Sequence, residues 1–562
     1  MTAPDTDRQT VVAALQGQLL ALVASFCTVG LLLGTLFFAA SLTPSLLPRD
    51  YALQGVLSGV SFAAGYGIGV FARWLWGYLE LPSPAPRVEL IVKAVATVLS
   101  LATAFAFLWR ASDWQNSIHA LMGLEPVEGS RPLEVGVIAI AVFIVIVMLA
   151  RLFKLTLHIV SEWLKRYIPR RVANVLGAAV AILLFWSVAD GVMLRYGLRL
   201  ADSSFQRLDA LIESDIAPPA DPLKTGSAAS PIGWEELGRA GRLFVSTGPG
   251  ATDLATFAGS AALEPIRVFV GLNSADTVEE RATLALEELK RTGAFERSAL
   301  VIVTPTGTGW IDPAAMDTLE YLHRGDVASV AVQYSYLTSW LSLLIEPGYG
   351  ADTARALFNV VYDYWTSLPA DARPKLYLHG LSLGALNSDL SFNIFDIVGD
   401  PFQGALWSGP PFPSVTWRAA TAGRDPQSPA WLPRFRDGSA IRFANQNGMQ
   451  QQRPGAQWGP IRIVYLQYAS DPVTFFDPAS VYREPAWMRG PRGPDVSTEL
   501  RWYPIVTLLQ LALDMSLATT TPMGYGHVYA PEHYIDAWMQ VTAPEGWQPS
   551  EVERLKALFA AR

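Results

Sequence analysis

The first 200 residues are dominated by apolar runs, and one of them, 19–40, carries no charged side chain. Further runs cover 51–71, 94–109, 135–150 and 172–189. Each is near the ~17–25 residues that a helix needs to cross a bilayer core. Hydrocarbon offers the backbone no hydrogen-bonding partner, so such a run must satisfy its own N–H and C=O groups as a helix. A single run would fit a buried helix of a globular domain. Five in succession point instead to an α-helical transmembrane bundle of about five spans. The tail before Leu19 lacks the basic region and small-residue cleavage site of a removable signal, so the first run reads as a retained span. Asp190 falls near the end of the fifth run, where an interfacial position is expected rather than an intramembrane acid.

Charge placement orients this bundle. The segment 151–171 holds Arg151, Lys154, Lys165, Arg166, Arg170 and Arg171 against Glu162 alone. Short basic loops stay on the cytoplasmic side. Counting back through alternating spans puts the N-terminus inside, together with Arg73, Arg87 and Lys93. Counting forward through a fifth span delivers the remainder of the chain outside. The expected organisation is a transmembrane domain over 1–200, a Pro/Ala/Ser-rich linker over 201–235 and a catalytic domain over 236–562.

The second half changes character. Strand-like runs at 267–271, 299–303 and 327–333 alternate with helical patterns at 277–291 and 352–365, which indicates a mostly parallel sheet covered by helices. Within it, Gly380-Leu381-Ser382-Leu383-Gly384 follows the apolar run 375–379 and opens an apolar-periodic stretch, 385–395. Strand, sharp turn and helix with a glycine-flanked serine at the apex is the pattern of a nucleophile elbow. The stretch 410–460, rich in Pro, Gly and Arg with Trp417, Trp431 and Trp458, interrupts the alternation. It reads as a cap or lid, or equally as an irregular packing insert.

In such a fold the acid and the base follow the serine in that order. Only His527 and His533 lie beyond Ser382. His527 sits in a glycine-rich loop, Met523-Gly-Tyr-Gly-His527, and is the preferred base; His533 falls inside a helical run starting at Pro531. For the acid, Asp471 comes directly after the strand-like run 461–468 and is preferred to Asp477, although Asp-Pro also starts ordinary turns. One oxyanion donor would be the Leu383 amide, following the nucleophile. The other would come from the loop after the 299–303 strand, Thr304-Pro-Thr306-Gly307-Thr308-Gly309-Trp310. A tight structural turn is the alternative reading. A phosphate loop would need a Gly-Lys-Ser/Thr that is not there.

Composition removes other classes. The sole cysteine, Cys27, lies in the first run, so an intramolecular disulfide is excluded. No CxxC pair, HExxH or dense His/carboxylate cluster suggests a metal, and no cofactor is expected. A net charge of −8 gives no basic surface for nucleic acid.

Ser41-Leu-Thr-Pro-Ser-Leu-Leu-Pro-Arg49 resembles a signature of a bacterial membrane family, common in actinobacteria, that joins an N-terminal multi-span region to a C-terminal α/β-hydrolase domain. Arg291-Thr-Gly-Ala-Phe295, the 304–310 loop, Gln333-Tyr-Ser-Tyr336 and Ser339-Trp-Leu-Ser342 look like further signatures. The elbow of that family often carries Glu where this chain has Leu381, which leaves the nucleophile intact. The resemblance implies an esterase-type hydrolase. Related membrane hydrolases are connected with aminoacyl esters of phosphatidylglycerol, which makes that lipid a candidate substrate. The expectation is therefore a membrane-anchored serine esterase using Ser382, His527 and Asp471 on a lipid or envelope ester, with its catalytic domain outside the cell membrane. An acyltransferase using the same residues is a second reading. A transporter or scaffold with an inactive hydrolase domain is a third, disfavoured by the intact Ser, Asp and His set and by the scarcity of charge within the spans.

Overall fold

The computed structural model describes residues 25–82, 85–129, 131–187, 216–336, 348–450 and 454–561. Asp190, residues 19–24 of the first apolar run, 188–189 of the fifth, the linker portion 201–215 and the Ser339–Ser342 signature lie outside the described residues. The chain divides into two compact units. One comprises Met1–Phe185 with Pro478–Met488 and Val496–Asp514; the other comprises Trp186–Asp477 with Arg489–Asp495 and Met515–Arg562. Two pieces of the second half of the sequence thus fold with the apolar first half.

The first unit is helical. Among the described residues three helices are long and apolar enough to cross a membrane: Tyr51–Tyr78, Pro86–Leu121 and Pro132–Leu164. The first run appears as the shorter helix Thr28–Ser41, and the fifth as Arg170–Ser187. The helix Tyr51–Tyr78 packs through small residues on two sides. A Cβ on Gly69 would sit 2.6 Å from Gly30 Cα, and one on Gly59 would sit 2.7 Å from the Ala139 carbonyl oxygen. In a lipid environment, where the hydrophobic effect does not draw helices together, such close backbone approach supplies the packing contact instead.

The second unit is built on an eight-stranded sheet: β1 Ile266–Val270, β2 Ala299–Thr304, β3 Val327–Val332, β4 Lys375–Leu381, β5 Gly404–Ser408, β6 Ile441–Asn445, β7 Gly448–Met449 and β8 Arg462–Leu466. Their order is β1-β3-β2-β4-β5-β8-β6-β7. All pairs are parallel except the β6–β7 hairpin. β1, β2 and β3 are buried along their whole length, as expected of strands covered by helices on both faces. Helix Val278–Arg291 begins with a capping box: Thr277 Oγ1 accepts from the Glu280 amide, and the Glu280 carboxylate accepts from the Thr277 amide at 3.0 Å. The register Leu381↔Ser408 and Thr304↔Gly380 brings the carboxyl ends of β2, β4 and β5 side by side.

Two features differ from the sequence reading. Part of the 410–460 insert is not a cap. Its residues 441–449 supply β6 and β7 to the sheet, while helix Val415–Ala422 and loops occupy the earlier part. Arg442 interrupts the apolar run of β6, and its guanidinium lies over the Trp458 ring at 3.8 Å. The charge that hid the strand is thus stacked on an aromatic face. The described end of the Pro/Ala/Ser-rich stretch is folded down: the Thr225 and Ser230 hydroxyls donate to Glu288 at 2.8 and 3.0 Å.

His379 in β4 is buried, and its Nδ1–H donates to the Leu406 carbonyl oxygen at 2.8 Å. Burial pushes its pKa down to about 4. An unfolded histidine titrates near ~6.5, so the native state binds this proton later than the unfolded chain does. The resulting stability is complete above pH ~6.5 and is lost as pH falls through about 4. A His379→Gln variant, which keeps a donor for Leu406, should lose about 3 kcal/mol less stability than wild type between pH 7 and pH 4. Denaturant unfolding of the purified protein at both pH values measures this. Equal losses in the two proteins would remove His379 as the cause.

Candidate active site

β4 ends at Leu381 and the elbow helix Leu383–Asp389 begins two residues later, with Ser382 alone in the turn. Ser382 has φ 57° and ψ −125°, a conformation that costs an L-residue roughly 1–3 kcal/mol. The flanking glycines make the turn sterically feasible. A Cβ on Gly380 would overlap the backbone of Gly384, and one on Gly384 would overlap the Thr304 carbonyl oxygen at the end of β2. The Ser382 amide donates to the Ser408 carbonyl oxygen at 3.0 Å, extending the β4–β5 ladder through the turn.

The loop after β8 presents Asp471, fully buried, as the N-cap of the short helix Pro472–Phe475. Its Oδ1 accepts from the Val473 amide at 2.8 Å and its Oδ2 from the Tyr529 hydroxyl at 2.7 Å. The same Oδ2 lies 2.7 Å from His527 Nδ1. The carboxylate therefore fixes the imidazole tautomer: Nδ1 carries the proton and Nε2 is left as the basic nitrogen. Nε2 is buried and has no hydrogen-bond partner among the described residues. The ring lies against Gly409, the residue after β5, where an added Cβ would be 2.5 Å from His527 Cε1. Ser408, which receives the Ser382 amide, is the neighbour of that glycine. The histidine ring thus covers the end of β5, one strand across from the elbow.

His533 is engaged elsewhere. It lies in helix Pro531–Thr542, and its Nδ1 is hydrogen-bonded to the Tyr468 hydroxyl. Burial lowers its pKa. The carboxylate against His527 is that of Asp471; Asp477 lies beyond the short helix that Asp471 caps.

Leu383 opens the elbow helix, where the first amides have no intrahelical acceptor. The 305–310 loop closes on itself: the Thr306 amide and hydroxyl both donate to the Trp310 carbonyl oxygen, at 3.0 and 3.1 Å, and the Gly309 amide returns to the Thr306 carbonyl oxygen. The Thr306 amide is therefore spent within the loop. Gly307 and Thr308 form the loop's tip, and the Thr308 carbonyl oxygen accepts from the Gln333 side chain at 3.3 Å.

Several supporting residues have no local sequence signal. Ser470 ties the loop of Asp471 to the loop of His527: its hydroxyl accepts from the Gly526 amide at 2.9 Å and donates to Asp495 at 2.6 Å. Asp312, buried at the head of helix Pro313–Leu322, accepts from the Tyr534 hydroxyl at 3.0 Å, and burial pushes its pKa up to about 6. Among the described residues no group of three or more His, Cys, Asp or Glu side chains is placed to hold a metal ion.

A mostly parallel sheet with a serine in a strand-to-helix turn, and an Asp–His pair carried on later loops, defines an α/β-hydrolase fold. Sequence comparison agrees over most of the chain: an α/β-hydrolase family matches residues 266–555, and the N-terminal region of an α/β-hydrolase family matches 42–249. The chain belongs to this α/β-hydrolase family. No curated protein and no solved structure matches it.

A Gly409→Ala substitution tests the packing of the histidine. Its methyl group would collide with the imidazole, and at φ +51° an alanine is strained in any case. Displacing the ring by an ångström should slow fluorophosphonate labelling of Ser382 by about a hundredfold. Labelling at the wild-type rate in the folded variant would show that the ring does not need this position.

Proposed function

We propose that this protein is a membrane-anchored serine esterase that cleaves an ester of a membrane lipid or cell-envelope component, aminoacyl-phosphatidylglycerol being one candidate. The observation that carries the reading is the His527–Asp471 hydrogen bond, its ring at the end of the strand next to the elbow, with His527 Nε2 buried and unpaired among the described residues. In the proposed reaction Ser382 Oγ attacks the ester carbonyl carbon while Nε2 takes its proton. Asp471 holds the ring and stabilises the imidazolium. The oxyanion is bound by the Leu383 amide and a backbone donor of the loop after β2. Collapse expels the alcohol, which receives the proton from His527, and leaves an acyl group on Ser382. Water, deprotonated by His527, then attacks the acyl carbonyl carbon; the bond to Ser382 Oγ breaks, Oγ takes the proton back from His527, and the acid is released.

The packing of the first unit supports an extracytoplasmic site. Segment Val496–Asp514, which lies between Asp471 and His527 in the chain, bonds to Ser45 and Leu46 after helix Thr28–Ser41 and to Ser117 near the end of helix Pro86–Leu121. In an alternating bundle those helix ends are opposite the basic 165–171 turn. If that turn stays in the cytoplasm, the segment meets the bundle on the outer side.

Ser382→Ala should eliminate ester hydrolysis and fluorophosphonate labelling, a loss of about four to six orders of magnitude in turnover. His527→Ala should be comparably damaging, while His533→Ala should keep substantial activity. The reverse ranking in folded protein would transfer the base to His533. Lipid profiles of a deletion strain, complemented with wild type or with Ser382→Ala, then identify the ester that accumulates.

Topology is tested with a cysteine introduced at Pro219. An impermeant thiol reagent should reach it in intact spheroplasts. Access only after lysis would invert the assignment and move the substrate to the cytoplasmic side.

A further inference from the structure

The oxygen of Asp471 that faces the imidazole is shared. Oδ2 accepts from His527 Nδ1 and from the Tyr529 hydroxyl, both at 2.7 Å, with the Thr474 hydroxyl more distant at 3.2 Å. A carboxylate has no proton to give, so the phenol is the donor. Tyr529 is 3% exposed, and burial, together with the charge of Asp471, pushes its hydroxyl far above the ordinary tyrosine pKa. It therefore stays protonated, and a donor, throughout the neutral range. No step of the reaction proposed above uses it.

The ring that carries this hydroxyl is fixed. It stacks on Tyr468 with centroids 4.5 Å apart and an interplanar angle of 21°, and it stands at 81° to the His527 ring, 5.8 Å away. The Tyr468 hydroxyl accepts from the amide of Ala530, the residue after Tyr529, at 3.0 Å. Gly409 leaves room for both rings: a Cβ there would sit 2.5 Å from His527 Cε1 and 3.0 Å from Tyr529 Cε2. Tyr529 follows His527 by two residues, so imidazole and phenol reach Oδ2 from one backbone segment and hold it between them. Phenylalanine would give the same stacking, so packing alone does not call for the hydroxyl.

We infer that Tyr529 is a positioning residue for the acid: its hydroxyl holds Asp471 Oδ2 against the imidazole and draws off part of the negative charge that an imidazolium would otherwise meet. This rests on the esterase reading above, in which His527 is the base and Asp471 its partner. Without the hydroxyl, Oδ2 is freer to turn away from Nδ1, which slows proton transfer. The carboxylate also keeps more of its charge, which favours the imidazolium. A protonated ring cannot act as base, so activity would fail at a higher pH on the acid side. Among the described residues, titratable groups face the Asp471–His527–Tyr529 cluster from each neighbouring element. Tyr468 stacks on Tyr529, and His533 bonds to the Tyr468 hydroxyl. Asp495 accepts from Ser470, and the Tyr534 hydroxyl donates to Asp312. Burial pushes the pKa of Asp312 up to about 6, and a charge on His527 favours its ionised form. Asp312 therefore titrates in the range of the acid limb and must be controlled for.

The test uses full-length protein in detergent micelles with p-nitrophenyl butyrate as probe. Rates are counted per site titrated to completion by a fluorophosphonate, so misfolded protein does not enter. Tyr529→Phe should lower kcat on the pH plateau by about tenfold, with KM changed less than about twofold. It should also move the acid limb of kcat/KM to higher pH: at the wild-type midpoint of that limb, the variant should fall about threefold further below its own plateau than wild type does. Tyr529→p-aminophenylalanine, which restores an N–H donor on the same ring, should recover most of both losses, and it carries the test if the phenylalanine variant does not fold. In an Asp312→Asn background the shift of the limb should persist. A wild-type plateau and limb in Tyr529→Phe would overturn the inference. So would a lowered kcat with the limb unmoved, which reports packing alone, or a shift that vanishes with Asp312→Asn. Ser382→Ala and His527→Ala are run alongside: if either retains turnover, the esterase reading itself fails, whatever Tyr529→Phe does.

Discussion

The proposed site depends on one buried hydrogen bond, between Asp471 Oδ2 and His527 Nδ1 at 2.7 Å. A fully buried carboxylate is tolerated only when its oxygens are occupied, and here they are. Backbone amides of the short helix that Asp471 caps, the Thr474 and Tyr529 hydroxyls and the imidazole all donate to it. Removing one partner from such an arrangement leaves the others facing an unsatisfied group, at a cost of about 1–3 kcal/mol for each. The loops after β8 and before helix Pro531–Thr542 are thereby bound to each other, and Ser470 with Asp495 adds a second tie. The histidine is held from behind, and only its Nε2 is left without a partner among the described residues.

The elbow provides the complementary constraint. Ser382 has a positive φ where β4, the elbow helix and the end of β2 come close together, and Gly380 and Gly384 permit that approach. Strain at Ser382 is thus sustained by backbone packing in the centre of the sheet. The first unit uses close backbone approach as well, through Gly59 and Gly69, but between helices rather than between strand and helix.

What was legible in the sequence had a local cause. Gly-x-Ser-x-Gly after an apolar strand signals its turn by steric necessity. Asp471 was marked by following a strand, and His527 by being a loop histidine beyond the serine. The alternation of strands and helices announced the parallel sheet. What was not legible depended on distant residues meeting. β6 was hidden by Arg442, whose charge is stacked on Trp458. Ser470, Asp495 and Tyr529 are ordinary residues until the loops are folded together. The assignment of Val496–Asp514 to the first unit rests on contacts across more than four hundred residues, as between Ser45 and Asp514. The Thr306 amide looked free for an oxyanion until folding set the Trp310 carbonyl oxygen beside it.

Ser382 Oγ is the proposed nucleophile of an acyl-transfer site. The most direct measurement is a pre-steady-state burst with a p-nitrophenyl ester, quenched in acid and followed by peptide mapping of the acylated protein. A burst approaching one nitrophenolate per protein is expected, with the acyl mass on the peptide containing Ser382. Acylation mapped to another residue, or turnover without any covalent intermediate when deacylation is slowed, would contradict it.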